Sequence, residues 1–460
     1  MRAHTPNETR HVAGDGDEHR RFRDEAAQMD ARTSAPFFWT DAVAAAFPPA
    51  FVAFLKANDI HPDNYAIHDV PRYVRVSPRH AEHLTATELA RQLGANVEAV
   101  EWLPGYFSVP SNVKIAGCEA YKAGQLYGID VSSGAAVAAL DARPGHDVLD
   151  LCCAPGAKLC AIADAMNTRG TLTGVDVSEE RLAACRTICL KYGLCHVRLV
   201  LCDGREFAEA PPAIHTHAGA DSAAGSAGGG QIGGDQVGGG QEEGQEEGGE
   251  EVGEEACGDE PDGGADKAPA ASRAERSSLS RKRRRHERHG AFFLGSELSP
   301  AVGAAENAAE GACATDAHES HGLGARGYDR VLVDAECTHD GSIKHLAKFA
   351  QWGWETFERR FLEPERLTSL AELQLQLLLN GYRQLRRGGV LVYSTCSFAK
   401  AQNEDVVAAL LAAEPAARLV PVDALKGAPC GAGSLPHTLR FEPRLSKTSG
   451  LFVARIARGE

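Results

Sequence analysis

Apolar and polar positions change rhythm several times along the chain. Between residues 69 and 109 the pattern is that of a small α/β unit. Tyr73-Val74-Arg75-Val76 alternates as a half-buried strand does, residues 85–93 read as a helix capped by Thr85 and stopped by Gly94, and residues 97–109 return as strands. Ahead of it, residues 37–58 predict short helices interrupted at Pro48-Pro49. Residues 1–35 are polar and read as a flexible tail. Residues 36–110 are thus the expected N-terminal helical and α/β unit.

From residue 142 the rhythm becomes strand, glycine turn, helix. Apolar strands are expected at 147–151, 171–176, 197–202, 329–333 and 390–393. Helices are expected at 161–167, at 178–192 with Ser178 as N-cap, at 367–387 ended by Gly388-Gly389, and at 403–411. Residues 451–456 alternate like a final antiparallel strand. Strands alternating with helices predict an α/β fold: a doubly wound, mostly parallel, Rossmann-like sheet over residues 111–460.

That domain is interrupted. Residues 209–327 are rich in Gly, Ala, Glu and Ser and poor in large apolar side chains. Too little apolar surface is available there to offset the entropy of ordering, so a disordered insertion is expected. Within it, Arg281-Lys282-Arg283-Arg284-Arg285-His286-Glu287-Arg288-His289 is a basic run. It suits a nuclear import receptor or nucleic acid, or is simply a solvated charge run. Nuclear or nucleolar residence is the corresponding expectation.

Charge and composition sharpen this division. The 460 residues carry a formal net charge of −15, yet the insertion alone holds 22 acidic and 10 basic residues. The rest, with 41 acidic and 38 basic residues, is near neutral, so an RNA partner is compatible with the balance. No run of 18 apolar residues is present, so no membrane span is expected. The 13 cysteines form no C-x-x-C pair, so no metal is expected, and several sit in apolar runs. A reducing compartment suits them.

The candidate chemistry stands at the ends of the five strands: Asp150, Asp176, Asp203, Asp334 and Cys396. In an open parallel sheet, ligands bind beyond the carboxyl ends of the strands, where strand order reverses. The first turn reads Cys152-Cys153-Ala154-Pro155-Gly156-Ala157-Lys158 and fits neither G-x-G-x-x-G nor G-x-x-x-x-G-K-[ST]. A smaller cofactor with an amino-acid part and a nucleoside part suits it better. Asp176 can accept both ribose hydroxyls and Asp203 can reach an adenine amino group, a pattern that suits S-adenosylmethionine. The other two ends carry thiols, in Asp334-Ala335-Glu336-Cys337-Thr338 and Ser394-Thr395-Cys396-Ser397. Two thiols over a methyl-donor crevice point to covalent activation of a pyrimidine. Thiolate addition at carbon 6 of cytosine makes carbon 5 nucleophilic enough to take a methyl group.

These residues resemble the Sun-type RNA (cytosine-5) methyltransferases, over about residues 70–207 and 328–457. Residues 152–158 are similar to that family's cofactor loop. Residues 71–76 and Trp102-Leu103-Pro104-Gly105 resemble its small RNA-binding unit, and residues 128–136 its first catalytic segment. Residues 403–407 match the helix after the nucleophile strand, and Ser-Thr-Cys-Ser at 394–397 is the most specific match. The resemblance implies an S-adenosylmethionine-dependent enzyme acting on a cytosine of rRNA or tRNA. It implies Cys396 as nucleophile, Cys337 assisting release, Asp334 hydrogen-bonding the base with Lys158 beside it, and Asp176 and Asp203 holding ribose and adenine. The chain departs from the family where Glu336 replaces a usual proline, Ala157 a common glycine, and residues 448–452 the usual Asp-Gly-Phe-Phe step. Glu336 motivates a second expectation, a catalytically degenerate RNA-binding or ribosome-assembly protein of the same fold.

Overall fold

The computed structural model describes residues 47–65, 70–214, 291–294, 298–299, 327–343, 346 and 353–459. The expected tail at 1–35 and the basic run at 281–289 lie outside them. The chain divides after Pro62 into two units. In the first, helix α1 (Pro49–Ala57) opens on a proline, whose missing N–H costs nothing at that position. The rings of Phe51 and Phe54 stack on one face of it at 6.2 Å.

The second unit begins with a small antiparallel sheet. Its strands are β1 (Arg72–Val76), β2 (Glu98–Ala99), β3 (Tyr106–Val109) and β4 (Leu126–Gly128), in the order β2-β3-β1-β4. Helix α2 (Ala86–Leu93) lies between β1 and β2 in the chain, capped by the Thr85 hydroxyl and ended by Gly94 in the left-handed region. Val74, Val76, Leu89, Val109 and Leu126 form its core. The expected boundary at residue 110 cuts this sheet, because Val74 pairs with Gly128 of β4. The small sheet is tied to the main domain through Asp164, which accepts from Arg75 Nε (3.1 Å), Ser77 Oγ (2.9 Å) and Tyr127 OH (3.0 Å).

The main sheet comes after helix α3 (Val131–Leu140). Strand β5 (Asp147–Asp150), helix α4 (Ala157–Ala165), strand β6 (Thr171–Asp176), helix α5 (Glu179–Lys191) and strand β7 (Val197–Leu201) make the first half. Within 209–327, residues 213–214 pair with 298–299, and β8 (Ala291–Leu294) adds antiparallel to β7. The expected insertion therefore returns to cover the sheet edge. Strand β9 (Tyr328–Asp334), helix α6 (Pro364–Gln384), strand β10 (Leu385–Thr395) and helix α7 (Glu404–Ala413) make the second half. Short strands β11 (Ala417–Leu419), β12 (Gly431–Ala432) and β13 (Leu439–Phe441) precede the last strand, β14 (Leu451–Arg458).

Helix α6 stops three residues before the expected end. Leu385 is already extended, and the chain runs directly into β10 through Gly388 (φ +71°), where the register against β9 shifts. Strands β7, β6, β5, β9 and β10 are parallel neighbours in that order, and β14 runs antiparallel to β10. The order reverses between β5 and β9. The period of two divides each strand between two cores. Val148, Leu172, Leu332 and Val392 pack with Ala135, Leu140, Leu159 and Ile162 on one side. Leu149, Val175, Val333 and Leu391 pack with Leu378, Tyr382, Val407 and Leu410 on the other. No described helix is long and apolar enough to cross a membrane.

Candidate active site

The reversal of strand order places the ends of β5 and β9 side by side, where a crevice opens in folds of this kind. Asp150 closes β5 and is buried, at 1% exposure. Neither carboxylate oxygen has a partner within hydrogen-bond geometry, and the Cys152 backbone N–H gives only weak support to the charged form. Burial, with the Asp334 charge beside it, pushes this carboxyl up to about 7.

The loop after β5 turns through Gly156 at φ +111°, a conformation glycine adopts freely, and starts α4 at Ala157. A Cβ at Gly156 would come within 3.4 Å of the Cys185 backbone. Cys153 is buried beneath the loop, its sulfur 4.0 Å from that of Cys185 and its N–H bonded to Val175 O. Cys152 is half-buried. Arg181 of α5 donates to Ala154 O at 2.8 Å and fixes the loop from outside. Asp176, at the end of β6, accepts from the N–H groups of Ser178 (2.9 Å) and Ala154 (3.3 Å). Asp203, two residues beyond β7, is held by Arg205, with Nη2 to Oδ2 at 2.6 Å and Nε to Oδ1 at 3.0 Å. The arrangement suits a ligand carrying donors: an unmet buried carboxylate, a second carboxylate with spare lone pairs and a glycine-cradled turn.

The second half of the site is built by β9 and β10. Asp334 ends β9, 3.0 Å from Lys158 Nζ, and accepts from Ser394 Oγ at 2.6 Å. Lys158 is thus brought by α4 across the crevice to the other half. The sulfurs of Cys337 and Cys396, 59 residues apart in sequence, lie 3.3 Å from each other. Cys337 is buried, and burial together with its hydrogen bond to Cys396 pushes its thiol well up. Glu336, in the usual proline's place, points its carboxylate to Arg366 of α6 at 2.6 Å.

Residues 338–341 were not singled out in the sequence, and they complete the pocket. His339 Nδ1 lies 3.0 Å from Cys396 Sγ and 3.9 Å from Cys337 Sγ. The loop that carries it is fastened on every side. Gly341 N–H donates to Cys396 O at 2.8 Å, and Gly450 N–H to Gly341 O at 2.7 Å. A Cβ at Gly341 would sit 2.5 Å from Cys396 O. Buried Asp340 accepts from Phe398 N–H at 2.8 Å and from Thr338 Oγ1. Gln402 Oε1 accepts from Thr338 N–H at 3.1 Å, and Gln374 Nε2 donates to Glu336 O at 2.7 Å. A histidine two residues after Cys337 was the available signal. The two glutamines gave none, because only the folded chain brings them here.

The family described as 16S rRNA methyltransferase RsmB/F matches residues 137–215 and 309–457, which hold every strand-end residue above. The chain belongs to this RsmB/F family. A ribosomal RNA small subunit methyltransferase B of Pseudomonas syringae pv. tomato is 28% identical over 178 residues, 39% of this chain and 38% of that protein. The mitochondrial tRNA (cytosine(34)-C(5))-methyltransferase of Mus musculus is 35% identical over 96 residues, 21% of this chain and 25% of that protein. The chain thus spans less than half the length of these relatives. Among solved structures, a methyltransferase homolog from Pyrococcus horikoshii superposes with TM-score 0.54 at 18% identity, covering 92% of this chain and 100% of that one. NSun6 from the same organism, solved with SFG, gives TM-score 0.53 at 14% identity, covering 91% and 100%. Both share the fold. Against the RsmB/F pattern, two departures have a local account. Ala157 is the first residue of α4, where helical backbone needs no glycine. At the 448–452 step, Gly450 is retained where a Cβ would collide with Phe398 at 2.3 Å, and Ser449 Oγ donates to Asp130 at 3.0 Å.

Proposed function

We propose that this protein is an S-adenosylmethionine-dependent RNA (cytosine-5) methyltransferase acting on a cytosine of rRNA or tRNA. The observation that carries the reading is the pair of thiols, 3.3 Å apart at adjacent strand ends, beside the Asp334–Lys158 pair. The names of the relatives support the substrate class. S-adenosylmethionine, held by the 152–158 loop with Asp150 and Asp176, supplies the methyl group. Asp203 contributes to the adenine end with oxygens it shares with Arg205.

Cys396 adds through sulfur to carbon 6 of the cytosine, and the electrons of the 5,6 double bond move to carbon 5. Asp334, oriented by Lys158 and Ser394, hydrogen-bonds the base edge and helps to protonate it transiently. Once carbon 5 carries the methyl group, its proton passes to a solvent water, the electrons of that carbon–hydrogen bond restore the 5,6 double bond, and the sulfur–carbon 6 bond breaks to regenerate the thiolate. Cys337, beside the Cys396 sulfur, assists that release. The base must be unstacked to reach two strand ends, so a single-stranded or flipped cytosine is the substrate.

Total RNA incubated with the protein and a methyl-labelled donor, then digested to nucleosides, tests the reading. Label is expected in 5-methylcytidine. Donor binding without any 5-methylcytidine would oppose it and favour the RNA-binding, non-catalytic alternative. For the 281–289 run we propose an import receptor as partner and nuclear residence. A reporter fused to residues 275–292 should enter the nucleus, and one that stays outside would oppose this.

A further inference from the structure

We propose that His339 is a catalytic residue of this site: its imidazole takes the proton of the Cys396 thiol and holds the resulting thiolate for attack on carbon 6. The role in attack rests on the function proposed above. The thiolate–imidazolium pair itself rests on geometry alone.

A free thiol titrates near pH ~8.5 and is a poor nucleophile until it is ionised. Two mechanisms can activate it: an adjacent base, or hydrogen bonds to the charged form. Cys396 has both. His339 Nδ1 lies 3.0 Å from its sulfur, within reach for proton transfer, and the Cys337 sulfur lies 3.3 Å away. The buried Cys337 thiol, whose own ionisation is disfavoured, is placed to donate toward a Cys396 thiolate. The thiolate thus receives one donor from a charged imidazole and one from a neutral thiol.

The division of labour between the sulfurs comes from burial. Cys337 is 1% exposed, whereas Cys396 is only half-buried at the crevice. The accessible thiol is the one the imidazole touches more closely. Burial alone lowers the imidazole's affinity for a proton. The nearby acids Glu336 and Asp340 act the other way. Of the two acids, Glu336 is paired with Arg366, and Asp340 is bonded to Thr338 and Phe398 N–H.

The backbone holds the ring in place. His339 adopts φ +52°, a left-handed conformation uncommon outside glycine. Its neighbours impose it, through the buried Thr338, Asp340 and Gln402 contacts on one side and Gly341 to Cys396 on the other. Such a conformation persists only where the surroundings over-determine it, and here they determine the distance from imidazole to sulfur. The proton balance closes. The Cys396 proton moves to His339, the thiolate forms the bond to carbon 6, and elimination returns the thiolate to the same imidazolium.

The test measures the thiol without RNA or methyl donor. Full-length, freshly reduced protein with a metal chelator is alkylated with iodoacetamide from pH 5 to pH 10, and the rate at Cys396 is read by peptide mass spectrometry. The wild type and Cys337→Ala should show a midpoint at least about one pH unit below that of a free thiol. His339→Asn keeps the left-handed backbone but cannot take the proton. It should raise the midpoint by about one pH unit or more and slow alkylation at pH 6.5 about tenfold. His339→Gly, which is free of backbone strain, should do the same. A wild-type midpoint near that of a free thiol, or equal midpoints in wild type and both variants, would overturn the proposal. A shifted midpoint in a protein that makes no 5-methylcytidine would leave the pair standing and defeat the RNA reading, so the two fail separately.

Discussion

The two halves of the crevice are built on the same scaffold and equipped for different work. The ends of β5 and β6 carry carboxylates with spare acceptor capacity, one of them buried without a full partner. The ends of β9 and β10 carry two thiols, an imidazole and a carboxylate already paired with a lysine. The first half offers acceptors to a ligand's donors, beside the single half-buried thiol of Cys152. The second offers a nucleophile within a hydrogen-bonded frame. Lys158 links them, since it lies in the first turn of α4 on the first half and pairs with Asp334 of the second. The difference teaches that binding and bond-making can be perturbed separately here.

The largest separation is expected from Cys396→Ala. Methyl transfer should fall by about 10³-fold or more, as for loss of a covalent nucleophile, with donor affinity unchanged by calorimetry. Asp334→Asn breaks the link between the halves and removes the charge that orients the base. A fall of about 10²-fold in methyl transfer is expected, the lower range for a positioned acid–base group, again with little change in donor binding. Asp176→Ala should do the reverse. It removes an acceptor for about 1.5–3 kcal/mol of hydrogen bonding, so donor affinity should drop about tenfold to a hundredfold while adduct formation with RNA persists.

A smaller effect separates the halves through pH. The Asp150 carboxyl titrates near 7 in the folded chain and near ~3.9 when unfolded, so the folded state binds the extra proton between those values. The ligand-free protein should therefore lose stability as pH rises from about 4 through about 7, with the loss complete above that range. Urea midpoints measured across this range should decline in the wild type and flatten in Asp150→Asn. The smallest effect is expected from Arg366→Ala. It removes an exposed ion pair worth about 0–1 kcal/mol, so melting temperature should barely move.

The same division explains what could be read from the sequence. Asp150, Asp176 and Asp334 end apolar runs, so the strand rhythm alone places them at one edge of a parallel sheet. The caps at Thr85 and Ser178 were equally local and stand as expected. The thiol half depends on contacts across about sixty residues. Cys337 and Cys396 could be named from their motifs, but the ring between them could not, because His339 reaches the sulfur only through an unusual backbone angle. Asp203 was legible as a strand-end acid, whereas its capture by Arg205 is a side-chain choice that no pattern reports. The early end of α6 is followed by a register shift across Gly388, and there periodicity continues while the helical backbone does not. The strand at 291–294 was missed because four residues inside a Gly- and Glu-rich stretch carry too little pattern to stand out.

The central claim is that Cys396 is the nucleophile and Cys337 the residue that frees it. Covalent trapping addresses both in one gel. Wild type, Cys337→Ala and the double variant with Cys396→Ala are incubated with total RNA and S-adenosylmethionine, then denatured. The account predicts a denaturant-resistant protein–RNA adduct that accumulates in Cys337→Ala, is faint in the wild type and is absent from the double variant. An adduct that survives loss of Cys396, or none in Cys337→Ala while the wild type methylates RNA, would contradict it.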